Sequence, residues 1–104
     1  MEMDIRDLYQ RLFKVANRFL EIAGTFSIGE LRDHDPSVGE LARSATMLAK
    51  VMNELADDEY SEERIAINAA QAALFMRQVA IAVRKQDEKL LEKAISDLEN
   101  VEFV

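Results

Sequence analysis

Residues 62–85 read EERIAINAAQAALFMRQVAIAVRK, and this stretch decides the fold because it is apolar on two faces of a helix. One set of apolar residues recurs at the spacing of a helical stripe: Ile65, Ala69, Ala72, Ala73, Met76, Val79, Ala80 and Val83. A second face carries Ile67, Ala70, Leu74 and Ile81. A helix that is apolar on two faces is buried on two sides. The sequence therefore predicts either the central helix of a bundle or a self-association surface.

Three further stretches show helical spacing around this one. The patterns predict helices over about 4–23, 37–56 and 88–100, in addition to about 62–85. Ser61 and Asp87 are the expected N-caps of the third and fourth helices. The second helix begins either after Asp35, with Pro36 at its first position, or at the capping box of Ser37 and Glu40. Residues 24–36 form a longer loop, in which the capping-box spacing of Ser27 and Glu30 favours a short extra helical turn. Short connections favour antiparallel neighbours, so we expect an all-α fold: a compact antiparallel bundle of four helices in one domain, 1–104.

The composition supports a helical domain and narrows the range of functions. Three glycines and one proline are too few for the frequent turns of an all-β protein. Cysteine is absent from the sequence, so thiolate chemistry and a disulfide framework are excluded. The net charge of −7 argues against direct nucleic-acid binding and against adsorption to anionic membranes, because both require clustered Lys and Arg. No basic segment leads into an apolar run near Met1, so we expect a cytoplasmic protein.

The most unusual local feature is an acidic run between the second and third predicted helices. Six acids lie within ten residues: Glu54, Asp57, Asp58, Glu59, Glu62 and Glu63. A divalent cation would bind oxygen ligands of this kind, but the alternating acids and central glycine of an EF-hand loop are missing. A solvated turn with helix-capping acids is the simplest interpretation. Among the functional interpretations, we favour contact with the basic surface of a partner protein.

Two further groups of charged residues are candidates for a site. Arg11, Lys14 and Arg18 lie at i, i+3 and i+7 on one flank of the first predicted helix, where they are a candidate anion contact. The alternative, which we favour, is a solvated flank balanced by Asp7 and Glu21 in i, i+4 and i, i+3 pairs. His34 is the single histidine and lies in a polar loop, where the simplest interpretation is again a solvated side chain rather than a metal ligand.

These observations predict a protein that binds a macromolecule and performs no catalysis. The sequence offers no activated nucleophile, no phosphate-binding glycine loop and no metal-ligand spacing, so we expect no cofactor and no metal. The leading hypothesis is a protein-binding regulator, adaptor or inhibitor. By analogy, a small acidic helical chain would suit a phage or mobile-element protein that acts on a host nucleic-acid-handling or defence complex. The alternatives are a homodimer that pairs through Ile67, Ala70, Leu74 and Ile81, and a binder of small anionic ligands between helices or subunits.

Overall fold

The computed structural model describes residues 4–22, 37–58 and 62–101, and these residues form four helices. The helices are α1 (Ile5–Ile22), α2 (Val38–Asp57), α3 (Glu63–Lys85) and α4 (Glu88–Glu99). Within these ranges the chain contains no strand, and each helix begins and ends within one residue of its predicted limits. The all-α four-helix bundle is therefore confirmed. The loop over 24–36, its extra helical turn and His34 lie outside the described residues.

Local capping explains where the helices begin. The Ser37 hydroxyl accepts a hydrogen bond of 3.1 Å from the Glu40 N–H, and the Asp87 carboxylate accepts one of 3.1 Å from the Leu90 N–H. Asp87 is the predicted N-cap, and Ser37 is one of the two predicted candidates for the start of α2. Each satisfies an N–H that lacks a partner within its helix. The N-cap position of α3 is Glu62, whose side chain makes no capping hydrogen bond. The expected cap, Ser61, lies one residue earlier and outside the described residues.

The end of α3 is a tight reversal that feeds directly into α4. Gln86 adopts a left-handed conformation with φ of 54°, although it is not glycine. Its N–H donates to the Val83 carbonyl at 3.1 Å, and the Asp87 N–H donates to the Ala82 carbonyl at 3.0 Å. This pair of bonds is the Schellman arrangement, which satisfies the last carbonyls of a helix. Because Asp87 is also the N-cap of α4, the reversal needs only two residues.

Each helix packs against the next one along the chain, and the last packs against the first, so the four helices form a closed ring. α3 packs against α2 and α4, whereas α1 packs mainly against α2 and α4 from the other side. The pairing of α2 with α3 is the closest of all. Both helices carry buried alanines, including Ala45 and Ala49 of α2 and Ala69 and Ala73 of α3. Since alanine carries a single methyl group, the two backbones can approach closely.

The core lies between the four helices and is apolar throughout the described residues. Its largest fully buried side chains are Phe19, Leu12, Leu41, Leu48, Met52, Met76, Leu91, Ile95, Leu98 and Val79. No polar or charged residue of the described ranges is buried with them. Met52 of α2 and Met76 of α3 are among these core side chains. The predicted inner stripe of α3 is confirmed in the same way, because Ala69, Ala72 and Val79 are fully buried.

α3 has a second property that follows from its composition. Among the helices that the structure describes, it is the one long enough, at 23 residues, and apolar enough to cross a membrane. The central helix of a globular bundle passes the same test, because its apolar residues face neighbouring helices instead of lipid. Here α3 contributes Met76 and Val79 to the fully buried core. Moving α3 into a bilayer would therefore dismantle the packing of the domain.

Candidate interaction surface

The second apolar face of α3 is exposed to solvent. The side chains of Ile67, Leu74 and Ile81 are 57%, 53% and 42% exposed, and Ala70 beside them is also exposed. Together these four residues are called the outer face of α3. Helical geometry places Leu74 and the fully buried Met76 on opposite sides of α3, since two residues correspond to about 200° of rotation. The outer face is therefore directed away from the core.

Three of these side chains follow one line along the helix. Ile67, Leu74 and Ile81 are spaced seven residues apart, which is the repeat of helices that pair side by side. A stripe with this repeat drifts by about 20° per heptad on a straight helix, so a partner helix would cross at a shallow angle. The predicted self-association residues are thus brought together on one exposed surface. Ile65 and Val83, by contrast, pack against the core.

A shallow groove runs between α2 and the end of α3. It is lined by Ala42, Arg43, Thr46, Met47, Lys50 and Arg84. Met47 is 53% exposed, which makes it one of the large apolar side chains that the described part of the chain presents to solvent. Three bases meet in this groove although the whole chain is acidic. The groove, with Lys85, is called the basic end of the α2–α3 hairpin.

The acidic residues of the predicted run lie at the opposite end of the same hairpin. Glu54 and Asp57 belong to the last turns of α2, Asp58 follows it, and Glu62 and Glu63 start α3. All five are exposed, and they are called the acidic end of the hairpin. Glu59, the sixth acid of the run, lies outside the described residues. Within the described ranges, no three His, Cys, Asp or Glu side chains are grouped so that they could hold a metal ion.

Of the three bases of α1 in the predicted anion contact, the first is paired with an acid of another helix. Arg11 is engaged by α4, because its Nε donates to Glu99 Oε1 at 3.0 Å and its Nη2 donates to the same oxygen. Asp7 lies 3.7 Å from the Arg11 guanidinium, which confirms the predicted i, i+4 pair. The hydrogen bond to Glu99, together with the charges of Glu99 and Asp7, raises the pKa of Arg11 above its usual value. Lys14 and Arg18 are exposed on the same helix.

On the opposite side of α1, a polar contact joins it to α2. The Ser44 hydroxyl donates a hydrogen bond of 3.0 Å to the hydroxyl of Tyr9, and both residues are partly buried. The Tyr9 ring stacks on Phe13 of the next turn, with ring centroids 4.7 Å apart. α1 is therefore held by Arg11 at α4 and by Tyr9 at α2. These polar groups join α1 to its two neighbouring helices.

Sequence reasoning located the outer face of α3 and the acidic end, but it missed Met47 and the basic end. Met47 lies between Arg43 and Lys50 on a polar stretch of α2, so periodicity alone gave no reason to select it. The groove appears once α2 and α3 are antiparallel, since this topology brings Arg84 beside Ala42 and Arg43. The basic end could have been found from the positions of the bases along each predicted helix. In an antiparallel pair, the start of one helix lies beside the end of the other, so bases near the start of α2 meet bases near the end of α3.

Comparison of the chain with protein-family models, with curated proteins and with solved structures finds no match.

Proposed function

We propose that this chain is a non-enzymatic protein-binding module, of the adaptor, regulator or inhibitor type, and that it acts in the cytoplasm. The observation that carries the proposal is the exposure of Ile67, Leu74 and Ile81 along one line of α3. Scattered apolar residues on a surface are ordinary, but an aligned row of three large ones is a feature of interfaces. The outer face of α3 is therefore the recognition surface.

The energetics of exposure support this role. Covering an apolar side chain removes its surface from water, and each Å² of apolar surface covered contributes roughly 25 cal/mol. A partner that covers three half-exposed aliphatic side chains gains this term without disturbing the core, because the core is filled from the opposite side of α3. A helix laid along the stripe is the geometry that the seven-residue spacing fits. The face is thus suited to a helical segment of another protein chain.

The acidic end of the hairpin defines the kind of partner further. Its five exposed acids, Glu54, Asp57, Asp58, Glu62 and Glu63, form a negative surface beside the outer face. A partner with a basic surface, such as a protein that handles nucleic acid, would be attracted to it. Charge complementarity of this kind increases the rate of association and selects among partners, while the apolar contact supplies most of the affinity.

The test is affinity capture from the native host with matched variants. Leu74→Glu places a charge in the centre of the outer face, and Gln10→Glu places the same charge at an exposed position of α1. Captured proteins are identified by mass spectrometry and then bound to the purified chain. We expect a protein that binds the wild type and Gln10→Glu directly and fails to bind Leu74→Glu. If every captured protein binds all three chains equally, the outer face is not a recognition surface and the proposal is wrong.

A further inference from the structure

The exposed residues of α3 are arranged symmetrically about Leu74. Ile67 lies seven residues before it and Ile81 seven residues after it, while Glu63 and Lys85 lie eleven residues before and after it. We propose that the outer face of α3 binds a second copy of this chain, as a two-fold dimer in which the two α3 helices run antiparallel and cross at Leu74. This inference rests on the proposed function, because it identifies the occupant of the same surface.

Two-fold symmetry makes a specific demand that this sequence meets. In an antiparallel pair centred on Leu74, each residue lies opposite the residue equally far on the other side of Leu74. Leu74 then meets its own copy, and Ile67 of each chain meets Ile81 of the other. An apolar residue therefore meets an apolar residue at each of the three positions of the stripe, so the stripe is complementary to itself. Ala70 beside the stripe is small enough to let the two helices approach.

The charges of the hairpin decide between antiparallel and parallel pairing. The antiparallel arrangement places the acidic end of each copy against the basic end of the other, so that Glu63 lies opposite Lys85. Arg64 lies opposite Arg84 in the same arrangement, but two acids, Glu62 and Glu63, directly precede Arg64 in the chain. A parallel pair would place acidic end on acidic end and basic end on basic end. Like charges at both ends would oppose it.

A membrane is the other surface that an exposed apolar face could meet. The charge of the hairpin disfavours it for this chain. The acidic end lies beside the outer face, and its five acids would be repelled by anionic lipid headgroups. Binding to vesicles is therefore an outcome that would overturn the dimer.

The first experiment is sedimentation equilibrium of the purified chain over a range of concentrations. We expect a weak dimer that dissociates on dilution, because one helix of each copy forms a small interface. Leu74→Glu places two carboxylates at the symmetry axis and should raise the dissociation constant by at least about 30-fold, while Gln10→Glu should leave it unchanged. Thermal unfolding of both variants checks that they are folded. A wild-type chain that is monomeric at ~1 mM overturns the dimer.

The second experiment tests the direction of pairing with single cysteines, since the natural chain has none. Under a short thiol crosslinker, Leu74→Cys should form a covalent dimer. Ile67→Cys alone and Ile81→Cys alone should not, because the two thiols of such a dimer lie about 21 Å apart along the helices. A mixture of Ile67→Cys and Ile81→Cys should crosslink. A dimer of Ile67→Cys with itself would indicate parallel pairing and overturn the proposal.

The third experiment exchanges the charges at the ends of the stripe. Glu63→Lys alone and Lys85→Glu alone each place like charges opposite one another and should each weaken the dimer about threefold. The double variant restores opposite charges and should recover the wild-type dissociation constant. A double variant weaker than both singles contradicts the antiparallel register.

These outcomes separate the failure of the dimer from the failure of the proposed function. If the wild type is monomeric and Leu74→Glu loses direct binding to another protein, the outer face is still a recognition surface. Its occupant is then not a second copy of the chain. If the wild type sediments with vesicles of phosphatidylcholine and phosphatidylserine and Leu74→Glu does not, the outer face binds a membrane. This result would overturn both the dimer and the proposed function.

Discussion

Arg11 of α1 and Glu99 of α4, 88 residues apart in the chain, share a hydrogen-bonded ion pair in which Arg11 Nε donates to Glu99 Oε1 at 3.0 Å. α1 lies farther from its neighbours than α2 and α3 lie from each other, because its inward side chains are large. Hydrogen bonds and ion pairs at its edges therefore contribute more to the stability of α1 than to that of the other helices. Asp7 on the same helix assists by lying 3.7 Å from the guanidinium.

Removing this pair should loosen α1 measurably but modestly. Arg11→Met keeps most of the aliphatic stem and should lower the free energy of unfolding by about 1 kcal/mol, the upper range for a partly exposed ion pair. Glu99→Gln should have a similar effect, and the double variant should cost less than the sum of the two singles. Additive effects in urea unfolding would show that the two residues do not interact.

The Arg11 charge should not make stability depend on pH near neutrality. Its folded-state pKa is raised by Glu99, so its contribution is fully present below the unfolded pKa and is lost only as the pH rises through the raised value, which lies far above neutrality. The difference in unfolding free energy between the wild type and Arg11→Met should therefore stay constant from about pH 7 to 10. A difference that shrinks over this range would contradict the assignment.

The same substitution at a buried and an exposed leucine should separate folding from recognition. Leu48 is fully buried between the helices, and Leu48→Ala should cost about 2–5 kcal/mol of stability because it leaves a cavity. Leu74 is 53% exposed, and Leu74→Ala should change stability by no more than about 0.5 kcal/mol. Chemical denaturation measures both. A large loss for Leu74→Ala would show that the outer face belongs to the core of a folded assembly.

The left-handed residue at the end of α3 is a site where the chain can be stabilised. Gln86 has a φ of 54°, a conformation that costs a residue with a Cβ roughly 1 kcal/mol more than glycine. Gln86→Gly should therefore raise the free energy of unfolding by about 0.5–1 kcal/mol. Gln86→Ala retains the Cβ and should give no gain. Equal effects of the two substitutions would contradict the explanation.

Charge reversals at the acidic end should separate partner binding from stability. Asp57 ends α2, where a negative charge opposes the helix dipole, so Asp57→Lys should stabilise the domain by about 0.3–1 kcal/mol. Glu63 starts α3, so Glu63→Lys should destabilise it by a similar amount. If the acidic end binds a basic partner, both variants weaken capture even though stability moves in opposite directions. If partner capture instead increases for Asp57→Lys and decreases for Glu63→Lys, in step with their stabilities, the acidic end is not a binding surface.

The helices could be predicted closely because local signals and burial agree along this chain. Ser37 and Asp87 cap the helices that follow them, and the apolar spacing of α3 identifies the inner stripe that contains Met76. Ser61 was expected to cap α3, but the cap position falls at Glu62. The two candidate caps are adjacent in sequence, and spacing alone could not distinguish them.

The candidate surface was predictable where it lies on one helix and not where it spans two. The outer face of α3 follows from the spacing of Ile67, Leu74 and Ile81 along a single segment. The groove with Arg43 and Arg84 depends on how α2 and α3 are aligned, which the sequence of either helix does not specify. The engagement of Arg11 by Glu99 likewise depends on α1 and α4 meeting in space. Pairwise geometry of this kind required the structure.

The differing positions of the methionines have a chemical consequence. Met47 is open to solvent in the groove of α2, whereas Met52 and Met76 are sealed inside the domain. Hydrogen peroxide converts a reachable thioether to a sulfoxide, so among these three it should attack Met47 first and leave the interior chemically intact. The oxidation rate of Met47 can therefore report on binding without an added label. The rate should fall when another molecule binds over the groove.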